Sequence, residues 1–108
     1  MKTILINIED KKELIKIIVE TLGKFEDVKV VIADTKIIPQ IANNFDLVII
    51  DKNKLQYLDG SQEFETLLID ETANKSEIIE ALSENGVSNY CVNANSQSLF
   101  ILFNGFLG

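Results

Sequence analysis

Short apolar runs that alternate with helical segments are the feature that most constrains the fold of this chain. Five runs rich in β-branched residues are bounded by polar or turn residues, which is typical of buried strands. These predicted strands span residues 3–8, 28–34, 46–51, 66–70 and 89–93. Between them, apolar residues recur with helical spacing, which predicts helices over residues 9–23, 36–44, 76–85 and 99–106. Ser76 is the predicted N-cap of the third of these helices.

The arrangement of these elements follows from the apolar character of the strands. The run over residues 46–51 is apolar on both faces, which indicates a parallel sheet covered by helices on each side. Regular alternation of strands and helices predicts a doubly wound α/β fold. With five short strands, the flavodoxin-like order 2-1-3-4-5 is favoured. The length of 108 residues predicts one domain over residues 1–108.

The charge of the chain excludes several classes of function. The chain has seventeen acidic and ten basic residues, which gives a net charge of -7, and every basic residue is a lysine. We therefore expect no direct binding of nucleic acid by this domain. Without histidine there is no Ser-His-Asp or Cys-His machinery and no imidazole metal ligand. The single cysteine, Cys91, lies in an apolar run and is predicted to be a core residue.

No apolar stretch approaches the roughly 18 residues of a membrane span, so we expect no membrane insertion. No signal peptide is evident at the N-terminus, because the first apolar run ends early in acidic residues. Together with the lone cysteine, this predicts a cytoplasmic protein. The high content of Ile, Lys and Asn favours a bacterial origin.

Acidic residues follow several of the predicted strands. Glu9 and Asp10 end the first strand, Asp51 ends the third and Asp70 ends the fourth. The carboxyl ends of parallel strands share one edge of the sheet, where ligands bind in such folds. Because the first and third strands are neighbours in the favoured order, Glu9, Asp10 and Asp51 should converge. A hard divalent cation such as Mg²⁺ would relieve the repulsion between these carboxylates.

The chain resembles the receiver domains of two-component response regulators over nearly its whole length. The resemblance rests on the strand and acidic pair of residues 4–14 (ILINIEDKKEL) and the strand of residues 45–51 (FDLVIID). Asp59-Gly60 and the run GVSNY over residues 86–90 add to it. The resemblance implies that Asp51 is the phosphoacceptor, an oxygen nucleophile. It also implies an Mg²⁺ site made by Glu9, Asp10, Asp51 and the backbone carbonyl of Asn53.

Three departures from the family pattern accompany this resemblance. Asp70 stands where the family has a Ser or Thr that senses the phosphoryl group, and Thr72 comes two residues late. Asn93 stands where the family has a lysine that binds a phosphoryl oxygen. The segment between the third and fourth strands is short, which predicts a shortened or remodelled third helix. We therefore expect a pseudo-receiver, a non-enzymatic interaction module with impaired or absent phosphorylation.

Two alternatives remain open from the sequence. One is a functional receiver that is phosphorylated on Asp51 with Mg²⁺. The other is a STAS-like anti-sigma-factor antagonist, because residues 47–61 resemble the STAS core, with Ser61 as the switch hydroxyl.

The resemblance also implies partners. A sensor histidine kinase or another signalling protein is expected to bind the domain. In the family, the face formed by the fourth helix, the fifth strand and the fifth helix commonly mediates dimers. The last predicted helix is apolar on nearly every side, which predicts a homodimer or a partner domain at this face. Its candidate residues are Tyr90, Leu99, Phe103 and Phe106.

Overall fold

The computed structural model describes the backbone of residues 1–108 and the side chains of all of them except residue 39. Five parallel strands form one sheet in the order β2-β1-β3-β4-β5, which confirms the predicted flavodoxin-like topology. The strands are β1 (Lys2–Asn7), β2 (Val28–Ala33), β3 (Leu47–Ile50), β4 (Glu65–Ile69) and β5 (Asn89–Cys91). The helices are α1 (Lys12–Leu22), α2 (Pro39–Ala42), a 3₁₀ helix (Lys52–Tyr57), α3 (Lys75–Ser83) and α4 (Ser96–Leu107).

The core lies on both faces of the sheet. Successive side chains of a strand point to opposite faces, and β3 and its flanking strands divide accordingly. Ile4, Ile49 and Leu67 pack in one cluster, beneath α1 and α4. Leu5 and Val48 pack in a second cluster on the other face. All four residues of β3 are buried, which is the physical reason for the continuous apolar run in the sequence.

The last helix covers the first cluster. Asn95 caps α4 by accepting a hydrogen bond from the amide of Ser98, whose hydroxyl in turn accepts one from the amide of Asn95. Leu99 and Phe103 point into the core and are fully buried. Both residues were expected on an interaction surface, and this expectation is corrected because their side chains fill the space between α4 and the sheet.

The second helix is shorter than expected. Residues 36–44 were predicted to be helical, but α2 is a single turn over Pro39–Ala42. A proline lacks an amide hydrogen and is tolerated only at the start of a helix, so helical structure begins there. Edge strand β2 keeps apolar side chains at the surface, with Ile32 54% exposed.

The third and fourth strands are joined without a regular α-helix. The 3₁₀ helix Lys52–Tyr57 stands in that place, so the predicted shortening of the third helix is confirmed. The helix after β4 begins at Lys75, and its N-cap is Asn74 rather than the predicted Ser76. Asn74 and Glu77 form a reciprocal capping box, which a serine inside the first turn cannot make.

Cys91 is buried at the end of β5, as predicted. Within the part of the chain that the structure describes, none of the helices has the length and apolar character needed to cross a membrane.

Candidate functional site

The predicted acidic residues lie at the carboxyl edge of the sheet. Glu9 and Asp10 follow β1, Asp51 follows β3 and Asp70 follows β4. Because β1 pairs with β3 and β3 pairs with β4, the ends of these three strands are neighbours. The edge therefore brings the loops that carry these acids together, but the four side chains play different parts.

The buried side chain of Asp51 connects the loop after β1 to the 3₁₀ helix. Its side chain has no solvent exposure. One carboxylate oxygen, Oδ2, accepts a hydrogen bond of 2.9 Å from the backbone amide of Glu9. The other, Oδ1, accepts one of 3.1 Å from the amide of Asn53 and thereby caps the 3₁₀ helix. Both oxygens of the candidate nucleophile are thus bound by backbone donors.

Two of the other candidate metal ligands, Glu9 and the carbonyl of Asn53, accept hydrogen bonds from the protein. The side-chain amide of Asn53 donates to Glu9 Oε2 at 2.5 Å. The backbone carbonyl of Asn53, a predicted ligand, accepts a hydrogen bond of 2.9 Å from Gln56. The side chain of Asp10 is exposed. Among the described side chains, no group of three or more His, Cys, Asp or Glu residues is arranged to hold a metal ion.

Asp70 accepts more hydrogen bonds from the protein than the other carboxylates of this edge, and only 1% of its surface is exposed. Its Oδ1 accepts hydrogen bonds from the amide and the hydroxyl of Thr72, at 2.9 and 2.5 Å. Its Oδ2 accepts one of 3.0 Å from the amide of Lys52 and lies 3.5 Å from Lys11 Nζ. Burial by itself raises the pKa of Asp70, but these hydrogen bonds and the Lys11 charge together lower it.

Lys54, in the 3₁₀ helix after β3, also lies at this edge. Lys54 is 7% exposed, and its ammonium group donates to Asp34 Oδ1 at 2.7 Å. The hydrogen bond from Lys54 lowers the pKa of Asp34 against the opposing effect of desolvation. The charge of Lys54 and the amide of Asp10 lower it further. Nothing in the local sequence marks this pair, because the two residues follow different strands.

Lys11, the N-cap residue of α1, reaches Asp70. Positive charge at Asp70 therefore comes from the loop after β1. Asn93, which stands in place of the lysine of the family pattern, is exposed, and its backbone carbonyl accepts a hydrogen bond from the hydroxyl of Ser98.

Of the predicted interaction residues, Tyr90 is 41% exposed and Phe106 is half-buried. Tyr90 lines a shallow groove of about 550 Å³ against α3.

Ser61, the alternative switch residue, is exposed and lies in a turn. Its hydroxyl and its amide both donate to Asp59 Oδ1. The strand that precedes this turn belongs to an all-parallel sheet that begins with β1. This all-parallel topology gives the STAS hypothesis no support.

No family model matches the chain, and no curated protein sequence matches it. Several solved structures, in contrast, superimpose on the chain. CpaE of Burkholderia thailandensis, described as a candidate pilus assembly protein, superimposes with a TM-score of 0.74 at 18% identity and with 98% of each chain covered. The signal receiver domain of an HD domain-containing protein from Pseudomonas fluorescens Pf-5 gives 0.72 at 15% identity, covering 98% of this chain and 86% of that one.

The Mn²⁺-bound form of the response regulator Rcp1 gives a TM-score of 0.68 at 18% identity. It covers 97% of this chain and 91% of that one. At such low identities the similarity concerns the fold. The chain has the fold of response-regulator receiver domains.

Proposed function

We propose that this chain, which has the receiver fold, is a pseudo-receiver: a signalling module that acts by binding other proteins and whose aspartyl phosphorylation is impaired or absent. One observation carries the proposal. The carboxylate of Asp51 has no exposed surface, and each of its oxygens accepts a hydrogen bond from a backbone amide.

Attack on a phosphodonor needs a carboxylate oxygen with a free lone pair that points to the donor. At Asp51 the two oxygens are directed at the amides of Glu9 and Asn53. Each oxygen keeps a second lone pair, but the side chain has no exposed surface, so a phosphodonor could reach it only if the fold around these amide contacts opened. Leaving a buried N–H without a partner costs about 1–3 kcal/mol. This cost disfavours the modified form.

The neighbouring carboxylate of Asp70 adds to this cost. A phosphoryl group on Asp51 would bring nearly two negative charges close to a buried carboxylate. Asp70 also holds the hydroxyl of Thr72 and the amide of Lys52, which are donors that an incoming phosphoryl oxygen could otherwise use. Because these donors are already bonded to Asp70, a phosphoryl group could not signal by forming new hydrogen bonds with them.

The runner-up is a functional receiver that is phosphorylated on Asp51 with the help of Mg²⁺. Rcp1, which shares the fold, has a Mn²⁺-bound form. In the present chain the donor set does not fit a divalent cation, because no three of the described His, Cys, Asp or Glu side chains are arranged to hold one.

The binding partner that we favour is a sensor histidine kinase or another signalling protein of a bacterial cytoplasm. The face formed by α3, β5 and α4 is the proposed contact surface, for a partner or for a homodimer. Exposed apolar side chains of α3 and β5 support it, since Ile79 is 55%, Leu82 40% and Tyr90 41% exposed. The mutual 98% coverage with CpaE favours a second context, an interaction domain of an assembly protein.

The proposal is tested by intact-mass spectrometry after incubation with acetyl phosphate and Mg²⁺. We expect no gain of a phosphoryl mass, under conditions in which a functional receiver domain is modified. A phosphorylated product that disappears in Asp51→Asn would establish the runner-up. A product that persists in Asp51→Asn would instead locate the modification at another residue.

A further inference from the structure

We propose that the outer edge of β2 is a homodimer interface, at which β2 of a second copy of this chain pairs antiparallel with it and extends the sheet. β2 and β5 lie at opposite ends of the sheet. The inference therefore goes beyond the proposed function. It assigns the second copy to the β2 edge and leaves the face formed by α3, β5 and α4 to a signalling partner.

The backbone of β2 is open to pairing on one side. In the sheet, β2 is the outermost strand and pairs with β1 alone. Its other side therefore presents a row of backbone N–H and C=O groups outward. Water or a further strand must satisfy these groups. The register with β1 runs through all six residues of β2 without a bulge, so the edge is regular enough to accept another strand.

The side chains of β2 are those of an interior strand. Five of its six residues (VKVVIA) are apolar, which is typical of a strand that is covered on both faces. Val31 is nevertheless 38% exposed and Ile32 54% exposed. Because consecutive residues point to opposite faces, apolar surface lies open on both sides of this edge. Proline and several charges usually protect such an edge, but β2 has only Lys29.

A second copy fits this edge because the strand is complementary to itself. A two-fold axis normal to the sheet sets two copies of β2 antiparallel, and residues that lie opposite each other then share a face. With the axis at Val31, this residue lies opposite its own copy, and Val30 lies opposite Ile32 of the second copy. The exposed apolar side chains on both faces of the edge are thereby covered by apolar neighbours.

The charges near the edge are complementary in the same alignment. Lys29 lies opposite Ala33 of the second copy and next to its Asp34, and the symmetry forms this contact twice. Asp34 also accepts a hydrogen bond from Lys54, but its side chain is 46% exposed and stays accessible to a second ammonium group. A parallel pair in register would instead set Lys29 against Lys29. In a chain of net charge -7, β2 carries no acid that would repel its copy.

The test is sedimentation velocity of the full chain from micromolar to millimolar concentration. It needs no phosphodonor, so its result is independent of whether Asp51 can be phosphorylated. Ile32→Lys places a charge on the edge, and Lys29→Glu reverses the charge that meets Asp34. Val19→Lys, which changes an exposed aliphatic residue of α1, is the matched control. Ile79→Lys alters the face formed by α3, β5 and α4, and circular dichroism verifies that each variant is folded.

We expect the wild type to dimerise, and Ile32→Lys and Lys29→Glu each to raise the dissociation constant by about 10-fold or more. Val19→Lys and Ile79→Lys should dimerise like the wild type. Hydrogen exchange of the β2 amides should slow as the dimer forms, because the outward amides gain partners.

A wild type that stays monomeric over the whole concentration range would overturn the proposal. So would a dimer that Ile79→Lys weakens as much as Ile32→Lys does, since its interface would then lie at the face of α3, β5 and α4. Exchange of the β2 amides that does not change with concentration would show that the strands do not pair, and would overturn it as well.

Discussion

Replacing Asp51 by asparagine tests whether this residue is a structural cap or a nucleophile held in a repulsive pocket. Asparagine has nearly the same size and keeps one acceptor oxygen. Its second terminal atom becomes an amide donor, which must face the N–H of either Glu9 or Asn53. One backbone N–H is therefore left unpaired in a site that is fully buried.

The size of the effect follows from this loss. An unsatisfied buried donor costs about 1–3 kcal/mol, and the remaining hydrogen bond loses its charge assistance. Removing a negative charge would stabilise an acidic cluster, but Lys11 and Lys54 already pair with two of its members. We expect Asp51→Asn to lower the free energy of unfolding by about 2 kcal/mol. This corresponds to a fall in melting temperature of about 8 °C.

The assay is urea denaturation followed by far-ultraviolet circular dichroism at neutral pH. Asp10→Asn, which removes an exposed carboxylate of the same edge, is the control and should change the stability by less than about 0.5 kcal/mol. The capping argument is refuted if Asp51→Asn is as stable as the wild type or more stable. That result would mean that repulsion between the acids dominates the site.

Three other perturbations address single features of the structure. The lowered pKa of Asp70 stabilises the folded state above the pKa of the unfolded carboxyl, about 3.9, and this contribution is lost as pH falls through the folded value. Stability measured by urea denaturation between neutral and acidic pH should therefore fall less steeply in Asp70→Asn than in the wild type; equal slopes would contradict the assignment. Gly86 has φ of +69°, and a Cβ there would lie 2.8 Å from the Cα of another glycine, so Gly86→Ala should destabilise the protein by at least about 1 kcal/mol. Gly105→Ala, where a Cβ meets nothing within 4 Å, should stabilise α4 by about 0.5–1 kcal/mol, and thermal melts of the two variants should shift in opposite directions. Asn74→Ala should lower the free energy of unfolding by about 1 kcal/mol because the N-cap is lost, whereas Ser76→Ala should be nearly neutral. If Ser76→Ala were the more destabilising variant in chemical denaturation, Ser76 would be the cap.

The sheet could be predicted from the sequence because its strands are buried on both faces. The four residues of β3 are all buried, so each had to be apolar, and the run stands out in the sequence. The shortened third helix could also be predicted from the length between β3 and β4. The extent of α2 could not, because the end of a one-turn helix depends on tertiary packing rather than on its own periodicity.

The acids of the candidate site could be placed at one edge because parallel strands end together. What each carboxylate does there could not be predicted. The role of Asp51 depends on two backbone amides, and amides leave no signal in a sequence. The pairing of Lys54 with Asp34 joins residues that follow two different strands, and it depends on side-chain positions that the order of the strands does not specify.

The central claim is that the carboxyl edge is satisfied by the protein itself and responds to neither a divalent cation nor a phosphoryl group. The most direct test is to compare amide NMR spectra of the ¹⁵N-labelled chain before and after addition of Mg²⁺ with beryllofluoride, a mimic of the phosphoryl group. The account predicts unchanged resonances for Glu9, Asn53 and Thr72, whose amides donate to Asp51 and Asp70. Saturable shifts of these three amides would contradict it.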